Sequence, residues 1–357
     1  MSKIRVGIIG TGGISHVHMS GYKRLSGTVE VVAVCDIDEN KVKNYADRYG
    51  VPKYYLDYNE MLAKEKLDAV SVTTWNSEHK AATVAALNAG VDVLCEKPMA
   101  MNAKEALEME EAAKKNNKIL MIGFVRRYGN DTAIIKDFIN GGFMGDIYYA
   151  KATYLRRNGC PGGWFGDKNY SGGGPLIDLG VHVMDLARYL AGCPMPVSAY
   201  GATFSNLGVN RAKGAAADFG YDSVKSAEQK FKYNVEDLAA AMIKFDSGFT
   251  LSVEASFNLN NKSDVGTIEL YGTKSGIKID PGVEFYSDMH GHFVNIQPAE
   301  NSSLSFDGLF ENEIAHFIEC VENKKPPLST ANDGVVLMKM IDAIYESAKT
   351  GNAVKIK

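Results

Sequence analysis

The stretch Ile4-Arg5-Val6-Gly7-Ile8-Ile9-Gly10-Thr11-Gly12-Gly13-Ile14-Ser15 opens with a β-branched run, breaks on a glycine-rich turn and continues into a segment that can form a helix. Strand, glycine turn and helix in that order suit a pyrophosphate. The glycines let the backbone turn tightly and come close, and the ligand then sits at the positively polarised end of the helix. The third fingerprint position holds Ser15 in place of Gly or Ala, and its small side chain still permits close helix packing. Asp36 ends the next β-branched run, residues 29–35. A carboxylate there can accept hydrogen bonds from ribose hydroxyls and would repel a 2′-phosphate, which favours NAD over NADP.

Outward from this turn the same alternation continues to about residue 124. Candidate strands at 5–9, 29–35, 69–73, 92–95 and 119–124 are separated by helical segments. One helix covers 77–88 and stops at Gly90; another begins at Asn102, with Glu105 completing a capping box. The pattern predicts a doubly wound parallel sheet over residues 1–123. Beyond Phe124 the texture changes. A helix is expected at 131–139, a strand at 147–154, a glycine-rich loop at 159–174, and a helix at 175–191 with Pro175 in its first turn and Gly192 at its stop. Strands at 239–245 and 249–257 join through Asp246-Ser247-Gly248, and 268–271 pairs with 277–279. Residues 124–357 thus read as a second, α+β domain with a mainly antiparallel open sheet. The polar stretch 205–232 has no assignment, and no repeat of fixed period is present.

Composition narrows the function from another side. A chain of 357 residues exceeds what one core comfortably holds, in agreement with two domains. Apolar residues at 45% and charged residues at 23% are ordinary globular usage. With 39 basic and 43 acidic side chains the net charge is −4, so no basic field is available for nucleic acid or an anionic membrane; the expected partner is a small molecule. Five scattered cysteines form no Cys-x-x-Cys pair and no zinc spacing, so no metal is expected, and free thiols suit a cytoplasmic location. Neither a secretion signal nor a membrane-spanning stretch is visible.

Two constellations carry possible chemistry. Cys95-Glu96-Lys97-Pro98 follows the fourth candidate strand, at the carboxyl edge where ligands bind in such sheets; Pro98 fixes the chain direction and is a candidate for a cis bond. The run Gly172-Gly173-Gly174-Pro175 leads into Asp178 and His182, one helical turn apart on one face, with Asp185 further along. Leu176, Leu179, Val183, Leu186 and Leu190 form the other, buried stripe. Oxidising an alcohol by hydride transfer requires a base for the hydroxyl proton, a task suited to His182, and a cation for the developing alkoxide, a task suited to Lys97. His16 and His18 read as helix residues without chemical duty.

Taken together, the Gly10–Ser15 turn, Asn76-Ser77-Glu78-His79, Glu96-Lys97-Pro98, the glycine run into Asp178 and His182, and Asp342-Ala343-Ile344-Tyr345-Glu346-Ser347-Ala348 resemble the Gfo/Idh/MocA oxidoreductases, the family of glucose-fructose oxidoreductase and inositol dehydrogenase. The resemblance covers essentially the whole chain. It implies a Rossmann domain followed by a substrate domain, with His182 as acid/base, Lys97 as the cation orienting the hydroxyl, and Asp178 holding the substrate or the pair. It implies NAD against Gly10, Gly12, Gly13, Ile14, Asp36, Thr74, Trp75, Asn76, His79, Glu96 and Lys97. Trp75 departs from the family, where many members have proline. The implied substrate is a sugar, an inositol or a related polyol oxidised at a ring secondary alcohol. Residues suited to reading such a ring are Arg127, Tyr154, Arg157, Trp164 and Phe165, with Arg126, Tyr128, Arg156, Lys168 and Asn169 nearby in sequence. A homodimer or homotetramer formed through sheet faces is also implied. Two other readings stay open at this point: a glycosidase that oxidises a ring transiently with NAD, and a non-catalytic NAD-sensing regulator.

Overall fold

The computed structural model describes residues 3–208, 232–300 and 308–357, which divide into two compact units. The first contains six strands: β1 (Ile4–Ile9), β2 (Val29–Cys35), β3 (Lys53–Tyr55), β4 (Ala69–Val72), β5 (Asp92–Cys95) and β6 (Leu120–Ile122). Every pairing is parallel and the order is β3-β2-β1-β4-β5-β6. The order reverses between β1 and β4, the switch point where ligands bind beyond the carboxyl ends of the strands. Helices α1 (Gly13–Arg24), α2 (Glu39–Tyr49), α3 (Tyr58–Lys64), α4 (Asn76–Asn88) and α5 (Ala103–Asn116) make the crossovers. Val6, Ile8, Val34, Val70, Val72, Val93 and Leu94 are all buried, as strands covered on both faces demand. The expected strands are all present within a residue or two. The edge strand β3 escapes a reading of pattern because Lys-Tyr-Tyr is too short to show a period. The capping box at α5 is offset by one residue. Asn102 Oδ1 accepts from the Glu105 N–H at 3.0 Å, while Glu105 Oε2 accepts from the N–H of Met101, not of Asn102.

The second unit is built on a nine-stranded sheet in the order β14-β13-β12-β11-β7-β10-β9-β8-β15. Its strands are β7 (Ile147–Leu155), β8 (Pro196–Phe204), β9 (Leu238–Phe245), β10 (Thr250–Ser256), β11 (Val265–Gly272), β12 (Ser275–Ile279), β13 (Val283–Met289), β14 (His292–Ile296) and β15 (Val354–Lys355). Only β7 and β10 pair in parallel. α6 (Asn130–Asn140), the single turn α7 (Lys168–Ser171) and α8 (Val181–Leu190) belong to this unit, and α8 packs on β7, β10 and β11. The expected helix 175–191 is divided: Leu176–Gly180 is a π-turn and α8 follows it.

The division differs from a single cut at 123/124. The chain returns to the first unit with α9 (Leu309–Asn323), and residues 308–335 count with it; α10 (Ala331–Thr350) begins there and ends in the second unit. The return is fixed by packing of α9 on α1, where a Cβ added at Gly21 would stand 2.8 Å from Ile314 Cγ1. Of the unassigned stretch 205–232, residues 209–231 lie outside the described residues. No helix among the described residues is long and apolar enough to cross a membrane, and all five cysteines are free thiols.

Candidate active site

The nucleotide end lies within the first unit. Gly10 has φ +92°, and a Cβ there would sit 2.7 Å from the Thr73 carbonyl carbon and oxygen, so only glycine lets β1 turn beside the end of β4. α1 starts with Gly12 as its cap residue, which has no side chain to cap the first turn. A helix terminus in that state can receive phosphate oxygens. Ser15, at the third fingerprint position, is fully buried and turns its hydroxyl back to donate to the Gly12 carbonyl at 2.6 Å. Ile14 beside it is half-buried.

Asp36 stands next to this turn. Its Oδ2 accepts from the Thr11 N–H at 2.7 Å and the Thr11 hydroxyl at 2.9 Å, with Lys41 Nζ at 3.2 Å, and its Oδ1 accepts from the Asp38 N–H at 3.1 Å. Burial works to raise its pKa, but the Lys41 charge and the Thr11 and Asp38 donors prevail and hold the carboxyl below its ordinary value. The turn, the open helix start and an ionised acceptor at the end of β2 fit the pyrophosphate and ribose of NAD.

Lys97 follows β5, half-buried, and its bond to Pro98 is cis. Two buried side chains shape this loop. Glu96 Oε2 accepts from the Lys97 N–H at 3.0 Å, and its Oε1 accepts from His18 Nε2–H at 2.9 Å. Burial works against the Glu96 charge, but His18 and then Lys97 outweigh it and bring its pKa below the ordinary value. His79, on α4, donates from Nδ1 to the Pro98 carbonyl at 2.7 Å, and its Nε2 lies 3.2 Å from the Thr74 carbonyl oxygen. Burial lowers its pKa, so the imidazole is neutral at pH 7. The polar atoms of Glu96 and His79, both expected at the cofactor, are thus engaged in holding the Lys97-Pro98 loop. Thr74, Trp75 and Asn76 carry the chain from β4 into α4; Trp75 is the cap residue and Asn76 is buried.

In the second unit, Asp178 lies in the π-turn and is buried; His182, half-buried, stands in the first turn of α8. Single π-turns inside helices recur at functional sites. The stripe Leu176, Leu179, Val183, Leu186 and Leu190 is buried as its spacing predicts. A group that the sequence did not single out holds the turn. Glu236 Oε2 accepts from the Gly174 N–H at 3.0 Å, and its Oε1 accepts from the Leu176 N–H at 3.2 Å and the Tyr345 hydroxyl at 2.9 Å. The glycine at 174 is a matter of space, since a Cβ there would stand 2.4 Å from the Glu236 carbonyl oxygen.

The expected ring-reading residues are spread through this unit. Arg127 is buried and forks onto Asp185, Nε donating to Oδ2 at 2.9 Å and Nη2 to Oδ1 at 2.6 Å, with its guanidinium 4.7 Å above the Tyr189 ring. Arg126 lies 3.6 Å from Asp131. Arg156 covers the Tyr154 ring and donates to the Gly159 carbonyl, while exposed Arg157 donates to the Lys262 carbonyl. Trp164 and Phe165 stack on each other at 3.9 Å. Tyr154 packs against Cys160, Leu179 and Phe257. Lys168 and Asn169 are exposed.

Comparison with known proteins agrees with this architecture. The model of an oxidoreductase family with an NAD-binding Rossmann fold matches residues 4–124, and that of the same family's C-terminal alpha/beta domain matches 136–356. D-glucoside 3-dehydrogenase of Escherichia coli is 33% identical over 99% of this chain and 98% of its own. The NAD(+)-dependent scyllo-inositol 2-dehydrogenase of Bacillus subtilis is 27% identical over 99% of this chain and 96% of its own. The structure of levoglucosan dehydrogenase with NADH and levoglucosan superposes with a TM-score of 0.86 at 22% identity, covering 99% of this chain and 100% of that one, which bears on the fold. The chain belongs to the Gfo/Idh/MocA family of oxidoreductases, and its first domain is the family's NAD-binding Rossmann domain.

Proposed function

We propose that the protein is an NAD-dependent dehydrogenase of a ring secondary alcohol in a sugar, an inositol or a related polyol. The observation that carries this reading is the likeness along the whole chain to a D-glucoside 3-dehydrogenase; Lys97, Asp178 and His182, which the sequence resemblance implies as the catalytic group, support it. NAD, when bound, supplies the hydride acceptor. His182 takes the hydroxyl proton, the Lys97 ammonium stabilises the alkoxide as the ring carbon gives up its hydride, and the Asp178 carboxylate orients the hydroxyl or the histidine. The alcohol becomes a ketone, and the hydride and proton are both accounted for. Gly10, Gly12, Gly13, Ile14 and Asp36 hold the cofactor; Tyr154, Trp164, Phe165 and Arg157 read the ring, while the guanidinium of Arg127 is bonded to Asp185.

The expected homo-oligomer would form through one face of the second sheet. Directly paired positions across the second sheet carry Tyr200, Met242, Ser252, Lys151, Glu269, Lys278 and Glu284 on one side, with Tyr200 55% and Met242 48% exposed. A second copy related by a two-fold axis would set the alternating lysines and glutamates against each other and cover the apolar end. A monomer by light scattering at working concentration would remove this part.

The deciding experiment for the reaction is an NADH-absorbance screen over inositols, aldoses, uronates and glycosides, with His182→Ala as the control that abolishes the signal. Net NADH accumulation is expected. Release of free sugar from a glycoside without accumulation would replace the reading with transient ring oxidation, and a Lys97→Ala variant with full activity would exclude the assigned chemistry.

A further inference from the structure

Behind the Lys97 loop lies a buried cluster that the reaction does not use. His18 on α1, Glu96 after β5 and Glu313 on α9 are all buried, and their nearest donor and acceptor atoms lie within 4.8 Å of one another. The first two are satisfied. Tyr22 lies 2.6 Å from the Ser71 hydroxyl, which lies 3.0 Å from His18 Nδ1, and His18 Nε2–H donates to Glu96. Glu313 is not: it is fully buried, and neither carboxyl oxygen has a hydrogen-bond partner among the described residues. An ionised carboxylate in that state carries a heavy desolvation cost, and two carboxylates this close cannot both stay charged without a cation between them. Glu96 receives the donors, from His18 and the Lys97 N–H, so the proton falls to Glu313.

We propose that Glu313 is a protonated positioning residue: its neutral carboxyl packs beside ionised Glu96, preserves the His18–Glu96 hydrogen bond, and thereby holds the Lys97 backbone in the geometry from which the lysine acts. The positioning part rests on the reading of Lys97 given above; the protonation part does not. Burial, and then the Glu96 charge, push the Glu313 pKa well above its ordinary value, in the same direction. Among the described residues, the titratable groups around it include His18 and Tyr22 on α1 and, beyond Glu96, Lys97 and, on α4, His79, whose ring nitrogens meet the Pro98 and Thr74 carbonyls. On α9 itself Glu311 pairs with Arg24 and His316 accepts from the Leu328 N–H. A tight contact seats α9 here, since Gly21 of α1 leaves room only for Ile314.

The test compares wild type with Glu313→Gln and Glu313→Leu. A carboxyl with a raised folded pKa contributes stability that is complete below its unfolded pKa of about 4.3 and is lost as pH rises toward the folded value. Glu313→Gln has no proton to lose, so its melting temperature should gain steadily on wild type between about pH 5 and pH 8, with no substrate present. A difference that stays constant or shrinks over that range overturns the protonated state. So does a molar equivalent of divalent metal that survives dialysis in wild type and is lost in Glu313→Gln. For positioning, the neutral Glu313→Gln and Glu313→Leu should keep kcat within about twofold at pH 7 and hold it as pH rises, whereas wild-type kcat should fall by about tenfold as Glu313 loses its proton, with the NAD Kd unchanged. Superimposable kcat–pH profiles in wild type and Glu313→Gln overturn that role. Should no alcohol be oxidised by any form, the function proposal fails while the thermal comparison still decides the protonation state.

Discussion

Tyr345 donates its hydroxyl to Glu236 at 2.9 Å, and the same carboxylate accepts from the Gly174 and Leu176 N–H groups, so the second half of α10 is bonded to the turn from which Asp178 projects. The pair ties a glutamate just before β9 and a tyrosine near the end of α10 to the turn that carries Asp178. Burial, and then the Glu236 charge, push the Tyr345 pKa well up, so the phenol stays a donor across the working pH range.

Removing that carboxylate takes an acceptor from the Gly174 and Leu176 N–H groups and from the Tyr345 hydroxyl, all in the interior. Glu236→Ala should cost about 1–3 kcal/mol or more of stability, and Tyr345→Phe, which deletes one donor, about 0.5–1.5 kcal/mol. Urea melts measure both. Loosening of the π-turn should lower kcat in Glu236→Ala more than it changes NAD affinity, and an unaltered kcat would separate this carboxylate from the placement of Asp178.

Asp36 should govern cofactor choice. Asp36→Ala is expected to weaken NAD by about tenfold, equivalent to about 1.4 kcal/mol, and to narrow its advantage over NADP. Titration calorimetry with both cofactors checks this. Because the folded pKa of Asp36 is depressed, its contribution to stability is present above its unfolded pKa of about 3.9 and fades as pH falls through the folded value. The melting-temperature deficit of the variant should therefore be full at neutral pH and diminish in acid.

The contact of α1 with α9 offers a packing test. Alanine is favoured over glycine in a helix by about 1 kcal/mol, yet a Cβ at Gly21 would stand 2.8 Å from Ile314 Cγ1 and 3.0 Å from its Cβ. Overpacking of this kind costs about 1–3 kcal/mol, so Gly21→Ala should destabilise the protein despite its better propensity. Adding Ile314→Ala should recover part of the loss, giving a non-additive double-mutant cycle by denaturant melts.

Which features were legible follows from range. The glycine turn, the parallel strands and the buried leucine stripe of α8 rest on local period and chain order, and they appear in the structure within a residue or two. β8 is not legible because it starts at Pro196 and carries Gly201, both poor strand signals, although pairing with β9 makes it a strand. The offset capping box at Met101 and the π-turn at Asp178 are backbone adjustments invisible to residue type. His18 looked idle because its partner Glu96 is distant in sequence. Glu313 did leave a trace: it falls on the stripe shared by Leu309 and Phe317, where an acid is out of place unless a long-range partner gives it a role.

Sequence favours Arg127 as a reader of the substrate ring, while the structure gives its guanidinium two hydrogen bonds to Asp185 and the face of Tyr189, with side-chain exposures of 1% for the arginine and 3% for the aspartate. Breaking a buried ion pair from one side strands the other charge and costs about 3–5 kcal/mol. Arg127→Ala and Asp185→Ala should each destabilise by about that much, and the double variant should lose far less than the sum. An Arg127→Ala protein that melts like wild type but shows a raised substrate KM would return the arginine to the ring. A large stability loss with strong coupling to Asp185→Ala fixes it as the brace that orients α8, and through α8 the imidazole of His182.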